Sequence, residues 1–78
     1  MSIEPVLRID ATGQLCPLPV IELARRIKDV EIGGVIEILA DDPAAATDFP
    51  AWCRMRDQEF IASVPADCVT AYRIRRLR

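Results

Sequence analysis

Histidine is absent from this 78-residue chain, and aromatic residues make up only 5% of it. Without histidine no Cys–His pair can form, which excludes papain-type proteolysis. Three cysteines are present, Cys16, Cys53 and Cys68, but no two are spaced as a CxxC pair, and zinc sites need closely spaced Cys or His ligands. Neither a metal nor a cofactor is expected. An odd cysteine count argues against a disulfide framework where no secretion signal is evident. The N-terminal MSIEPVLRID has no basic flank followed by an apolar block, and no apolar run approaches the roughly 20 residues that cross a bilayer. A cytoplasmic protein without membrane association is expected. Positive charge is not in excess either. The formal net charge of −2 makes direct nucleic-acid binding unexpected.

What is present suits one small domain spanning residues 1–78, expected as a monomer. Hydrophobic residues make up 51% and charged residues 28%, a globular mixture, although a chain this short buries only about 60–65% of its unfolded surface. Leu7 and Ile9 alternate with Arg8 and Asp10, which predicts a first strand over Pro5 to Ile9. Asp10-Ala-Thr-Gly13 is turn chemistry. Val20, Leu23, Ala24, Ile27 and Val30 then recur at helical spacing, with Glu22, Arg25, Arg26 and Asp29 opposite them. Gly33-Gly34 leads into Val35–Ala40, apolar enough for a central strand. A second helix is expected to start near Thr47, because Pro50 is tolerated only close to a helix start. Phe49, Trp52 and Cys53 form its apolar stripe. Phe60, Ala62 and Val64 mark a third strand, Pro65-Ala-Asp67 a turn, and Tyr72 with Ile74 the inward face of a fourth. The order βαβαββ, with right-handed crossovers, predicts an α+β two-layer sandwich: a four-stranded mixed sheet with both helices on one face.

The stretch GQLCPLPVIELARR carries the chemistry. Read as the N-cap of the first helix, Cys16 sits at an end where the orphan backbone donors belong to residues 16–19. Pro17 and Pro19 remove two of those donors, and their fixed φ suits a first helical turn. The N–H groups of Cys16 and Leu18 remain near the sulfur, and the helix dipole adds partial positive charge. Both effects favour a thiolate. Ser, Thr, Asp or Asn would cap the helix better by about 1 kcal/mol, so a thiol here trades stability for reactivity or is incidental. With no histidine available, a thiolate that attacks and carries a group is expected, rather than one served by a resident base. Cys53 reads as a buried core residue, and Cys68 as a bystander at a strand edge.

The run Asp10-Ala-Thr-Gly13-Gln-Leu-Cys16-Pro17-Leu18-Pro19, followed by Ala40-Asp41-Asp42-Pro43 and Asp48-Phe49-Pro50-Ala-Trp52-Cys53, resembles the TusA/SirA-type sulfur-carrier family, whose hallmark is Cys-Pro-x-Pro opening the first helix. The resemblance runs from about Leu7 to Ile74. It implies a two-layer βαβαββ sandwich like the C-terminal domain of the translation initiation factor three family. It also implies that Cys16 takes up sulfane sulfur as a persulfide from a cysteine desulfurase or a rhodanese-like donor and passes it to an acceptor protein. Downstream routes in the family include tRNA thiolation, molybdenum cofactor assembly and sulfur oxidation. Pro17, Leu18 and Pro19 correspond to the residues that shape the site, and Asp10, Gly13, Asp42 and Pro43 to its structural frame. Two positions depart from the pattern: Asp57-Gln58 stands where Gly-His is frequent, and Glu22 where Lys is common.

Two other readings stand beside this one. Four of the ten basic residues, Arg73, Arg75, Arg76 and Arg78, crowd the last positions. They suit either a charged edge strand that resists aggregation or a docking patch for RNA or an acidic partner. Arg25 and Arg26 are further docking candidates. The chain could then be a regulatory binding module in which Cys16 is only a cap. Alternatively it is a redox sensor, with Cys53 as the resolving thiol.

Overall fold

A computed structural model describes residues 4–78; the start of the N-terminal stretch read for a secretion signal, Met1 to Ile3, lies outside them. The elements are β1 (Pro5–Asp10), α1 (Leu18–Arg26), a short 3-10 turn (Ile27–Asp29), β2 (Val35–Ala40), α2 (Ala45–Arg56), β3 (Glu59–Ala66) and β4 (Val69–Arg75). The sheet order is β1-β2-β4-β3, with β1 parallel to β2 and β4 antiparallel to both of its neighbours. The predicted α+β sandwich with a four-stranded mixed sheet is what forms, and the two helices share one face of it.

The core sits between these layers. Ile9, Ile36, Ile38, Tyr72 and Ile74 from the sheet meet Leu23, Ile27, Phe49, Trp52 and Cys53 from the helical layer. Phe49 is fully buried, and its ring lies 4.8 Å from that of Tyr72 between centroids, in a tilted arrangement. The period-2 pattern in the strands and the helical spacing in α1 predicted these contacts, because both express the same one-sided burial.

Three local expectations are corrected. The helix beginning with Leu18 is capped by Pro17, not Cys16, and Pro19 occupies its first turn; the thiol lies one residue before the cap. The second helix starts at Ala45, two residues earlier than expected, so Pro50 sits inside it. The ring costs about 3 kcal/mol in a helix interior, but the first turn is set before it: the Asp42 carboxylate accepts from the Ala44 N–H, its backbone carbonyl from the Ala45 N–H, and Ala45 is buried. The hydrogen bond lost at Pro50 would have gone to the carbonyl of Ala46, which is an exposed residue with water available as a partner. Finally, β4 is not an edge strand: it lies between β2 and β3, and Pro65 belongs to β3, leaving Asp67-Cys68 as the hairpin turn.

The departures from the family pattern also have structural roles. Asp57 adopts φ 57° at the end of α2 and its backbone N–H bonds the Cys53 carbonyl, a left-handed position at which glycine is the usual residue. The Gln58 side chain accepts from the Leu77 N–H at 2.6 Å and donates to the Arg78 carbonyl at 3.0 Å, fastening the C-terminal tail. Glu22 accepts from Arg25 at 2.8 Å.

A thiol held between two helix starts

The site is built by two loops at one end of the sheet. In the β1–α1 loop, Asp10 accepts from the Thr12 hydroxyl at 2.6 Å and from its backbone N–H at 3.0 Å. These bonds hold the Asp10 carboxyl below its ordinary range, the hydroxyl contributing most. Gly13 follows with φ 81°, a conformation that strains other residues, and its N–H donates to the Asp41 carboxylate at 3.0 Å. In the β2–α2 loop, Asp42 uses both of its oxygens: one accepts from the Ala44 N–H at 3.0 Å, the other from the Cys16 N–H at 2.6 Å. Those two backbone donors, Cys16 foremost, hold the Asp42 carboxyl below its ordinary range. The Asp-x-x-Gly and Asp-Asp-Pro segments are therefore two halves of one clasp, which fixes the backbone that carries Cys16.

The sulfur itself has a partner the sequence did not suggest. Cys16 is exposed, and its Sγ–H donates to Oδ2 of Asp48, in the first turn of α2, at 2.7 Å. This reverses the expected electrostatics. The thiol is pushed above its ordinary pKa, first by the hydrogen bond to Asp48, then by desolvation, and then by the negative charges of Asp48 and Asp42. The donors expected to favour a thiolate are engaged elsewhere: the Cys16 N–H on Asp42, and the Leu18 N–H on the Leu15 carbonyl. A helix dipole amounts to about half an elementary charge, whereas Asp48 brings a whole one within hydrogen-bond distance, so the carboxylate wins. Asp48 was visible as part of the Asp-Phe-Pro-Ala-Trp-Cys segment, but its position in sequence carries no sign that α2 would start against the thiol.

Around the sulfur lie two shallow depressions. One, lined by Cys16, Pro19, Val20, Asp42, Ala45 and Asp48, is too tight to admit even a water molecule. The other, an open groove of about 240 Å³, adds Pro17, Ala51, Trp52 and Met55. Both fall below the roughly 300–1,000 Å³ of ordinary small-molecule sites. Met55 in the groove, and Leu15 and Leu18 flanking Cys16 and Pro17 in the chain, are exposed apolar residues. Among the described residues no group of three or more His, Cys, Asp or Glu side chains is placed to hold a metal ion.

Other sequence candidates do not line these depressions. Cys53 is buried in the core cluster, where burial pushes its thiol up to about 11; it lacks the exposure a resolving thiol needs. Cys68 is exposed in the turn between β3 and β4, at the same end of the sheet as the β2–α2 loop but outside the lining of either depression. Arg25 and Arg26 pair with Glu22 and Asp29 on α1 and the turn after it. Arg73 pairs with Glu37 at 2.9 Å, Arg75 with Glu59 at 3.4 Å, and Arg76 donates to the Val30 carbonyl at 2.7 Å. The arginines are distributed over a helix end and the outer sheet, not gathered into one patch.

An exposed cysteine seated on a rigid loop before a helix, with no deep cavity beside it, defines a small α+β protein that presents a thiol to other molecules. The profile described as "Sulfurtransferase TusA" matches residues 7–76, nearly the whole chain, and this protein belongs to that family. It is 32% identical over 68 residues to sulfur carrier protein TusA of Pseudomonas syringae pv. syringae, spanning 87% of this chain and 81% of that protein. It is 38% identical over 53 residues to a candidate sulfur carrier protein of Archaeoglobus fulgidus, spanning 68% and 73%. The crystal structure of a SirA-like protein from Desulfitobacterium hafniense superposes with a TM-score of 0.81 at 25% identity, covering 94% of this chain and all of that one. No helix among the described residues is long and apolar enough to cross a membrane.

Proposed function

We infer that this protein is a cytoplasmic, monomeric sulfur carrier in which Cys16 accepts sulfane sulfur as a persulfide. The donor is a cysteine desulfurase or a rhodanese-like protein, and the recipient is an acceptor protein of a tRNA-thiolation, molybdenum-cofactor or sulfur-oxidation type of pathway. In the uptake step the Cys16 sulfur attacks the outer sulfur of the donor persulfide. The donor's S–S bond breaks, a new S–S bond forms on Cys16, and the donor cysteine leaves as a thiolate that takes up a proton. Release to the acceptor repeats the exchange in the opposite sense, so no external oxidant or reductant is consumed.

The observation that carries this reading is the exposed Cys16, anchored through its own N–H to Asp42 inside a depression too small for a metabolite. Such a thiol suits a protein-borne sulfur better than a free substrate. The exposed apolar residues Leu15, Leu18 and Met55 suit transient contact with a protein surface. Pro17, Leu18 and Pro19 shape the mouth, and Asp10 and Gly13 hold the loop beneath it; of the arginines, Arg25 and Arg26 at the end of α1 remain docking candidates, whereas Arg73, Arg75 and Arg76 belong to the outer sheet and the tail after it. The reading as an arginine-based binding module is the weaker one, because Arg73 and Arg75 already pair with carboxylates.

Intact-mass measurement after incubation with a desulfurase and cysteine, or a rhodanese and thiosulfate, tests the assignment. The wild-type chain gains one sulfur atom and Cys16→Ser gains none. Equal gain by both proteins overturns it.

A further inference from the structure

Cys16 is the nucleophile of a protein with no histidine, and a thiol must lose its proton to attack. Where the proton goes depends on when it leaves. In open solvent, buffer or hydroxide takes it. Once a donor protein covers the mouth, water is displaced, and the proton needs an acceptor within the site itself. The charged groups lining the two depressions at the sulfur are Asp42 and Asp48, and Asp41 lies behind them on the Gly13 N–H. Asp42 is committed, with one oxygen on the Cys16 N–H and the other on the Ala44 N–H. Asp48 is the carboxylate that touches the sulfur, and its position in the first turn of α2 places it on a rigid element that the core residues Phe49 and Trp52 hold down.

We propose that Asp48 is the proton acceptor for Cys16: it holds the thiol hydrogen in the resting carrier and receives it as the sulfur attacks the donor persulfide. The proposal rests on the sulfur-carrier reading and adds a second catalytic residue to it. The balance is closed within the complex. The S–H electron pair stays on Cys16 and becomes the new S–S bond, the proton passes to Oδ2 of Asp48, and the departing donor thiolate takes that proton as the two proteins separate. The same carboxylate opposes the free thiolate, so the carrier between encounters is guarded against small electrophiles. Asp48 therefore acts with opposite sign in the two situations, restraining the lone thiol and assisting the docked one.

The opposite signs provide the test. Asp48→Asn keeps the shape but cannot accept a proton. Alkylation of Cys16 by iodoacetamide, followed at the Cys16 peptide by mass so that Cys68 does not contribute, is measured against pH. In parallel, single-turnover sulfur uptake from a charged desulfurase and from a charged rhodanese is measured near neutral pH. In Asp48→Asn the alkylation midpoint moves to lower pH, while uptake slows by about a hundredfold or more, within the range of general-base catalysis. Asp48→Glu, which restores a carboxylate, recovers part of the uptake. Circular dichroism and thermal melting accompany each variant, and a loss shared equally by both readouts in step with unfolding assigns Asp48 a structural role and overturns the proposal. Uptake that is unchanged or faster in Asp48→Asn makes the carboxylate a brake alone, and an unmoved alkylation midpoint removes it from the thiol; either result overturns the proposal. If wild type takes up no sulfur from either donor, the carrier reading fails and the base role falls with it, whereas the alkylation shift still reports the Asp48–thiol contact independently.

Discussion

The mouth around Cys16 and the outer face of the sheet handle charge in opposite ways. On the outer face, Glu37 is only 8% exposed and Arg75 only 6%. Glu37 lies between Arg8 and Arg73, in register across three strands, and accepts from both, while Arg75 reaches Glu59 on β3. Each sign has its counterpart. At the mouth, Asp10, Asp41, Asp42 and Asp48 converge without an ion pair among the described residues. Their partners are backbone N–H groups, a hydroxyl and a thiol. Charge is cancelled where long side chains cover the sheet, and left standing around the Cys16 thiol.

The largest expected effect comes from breaking the balanced region. Glu37→Ala leaves the half-buried Arg73 without its carboxylate and lowers stability by about 1–3 kcal/mol. In a domain of this size that is a fall of roughly 4–24 °C in melting temperature. Sulfur uptake by the folded fraction stays at the wild-type rate. A parallel loss of uptake in fully folded protein would erase the distinction between the two regions.

The next effect is at the mouth and appears only in acid. The folded pKa values of Asp10 and Asp42 lie below their ordinary ones, so both groups bind protons more readily in the unfolded chain. The stability they contribute is complete above the ordinary carboxylate range and is lost as pH falls through their lowered folded values. Asp42→Asn gives up the Asp42 share of that dependence. Its melting temperature therefore declines less steeply than wild type between about pH 5 and about pH 2. Identical slopes would mean that the clasp on the Cys16 backbone contributes nothing measurable.

The smallest effect calibrates the other two. Cys68→Ser, at an exposed turn, changes stability by less than about 0.5 kcal/mol and leaves uptake unchanged. A substantial loss of uptake would place a second working thiol outside the mouth and undo the contrast.

Much of the fold was legible because burial leaves a periodic trace. Leu7 and Ile9, the Leu23–Ile27 spacing, and Tyr72 with Ile74 each identified the face that packs inward. Boundaries were less legible where local preference and packing disagree. Pro50 argued for a late start to α2, yet the Asp42 turn, which holds the Ala44 and Ala45 N–H groups, begins the helix at Ala45. The C-terminal arginines read as an edge strand because chain order is silent about which strand is inserted last; β4 enters between β2 and β3, and its arginines meet Glu37 and Glu59.

The same division holds at the site. Sequence alone singled out Cys16 and its two prolines, the turn at Asp10 to Gly13, and the family to which they belong, because those features are local and lie within a few residues of one another. The tertiary structure alone decided the protonation chemistry of the sulfur. A nearby helix start argued for a thiolate, but the fold brings Asp42 and Asp48 from a distant segment to within hydrogen-bond reach of Cys16. A full negative charge at that distance outweighs the partial positive charge of a helix end, and no reading of neighbours along the chain could have placed it there.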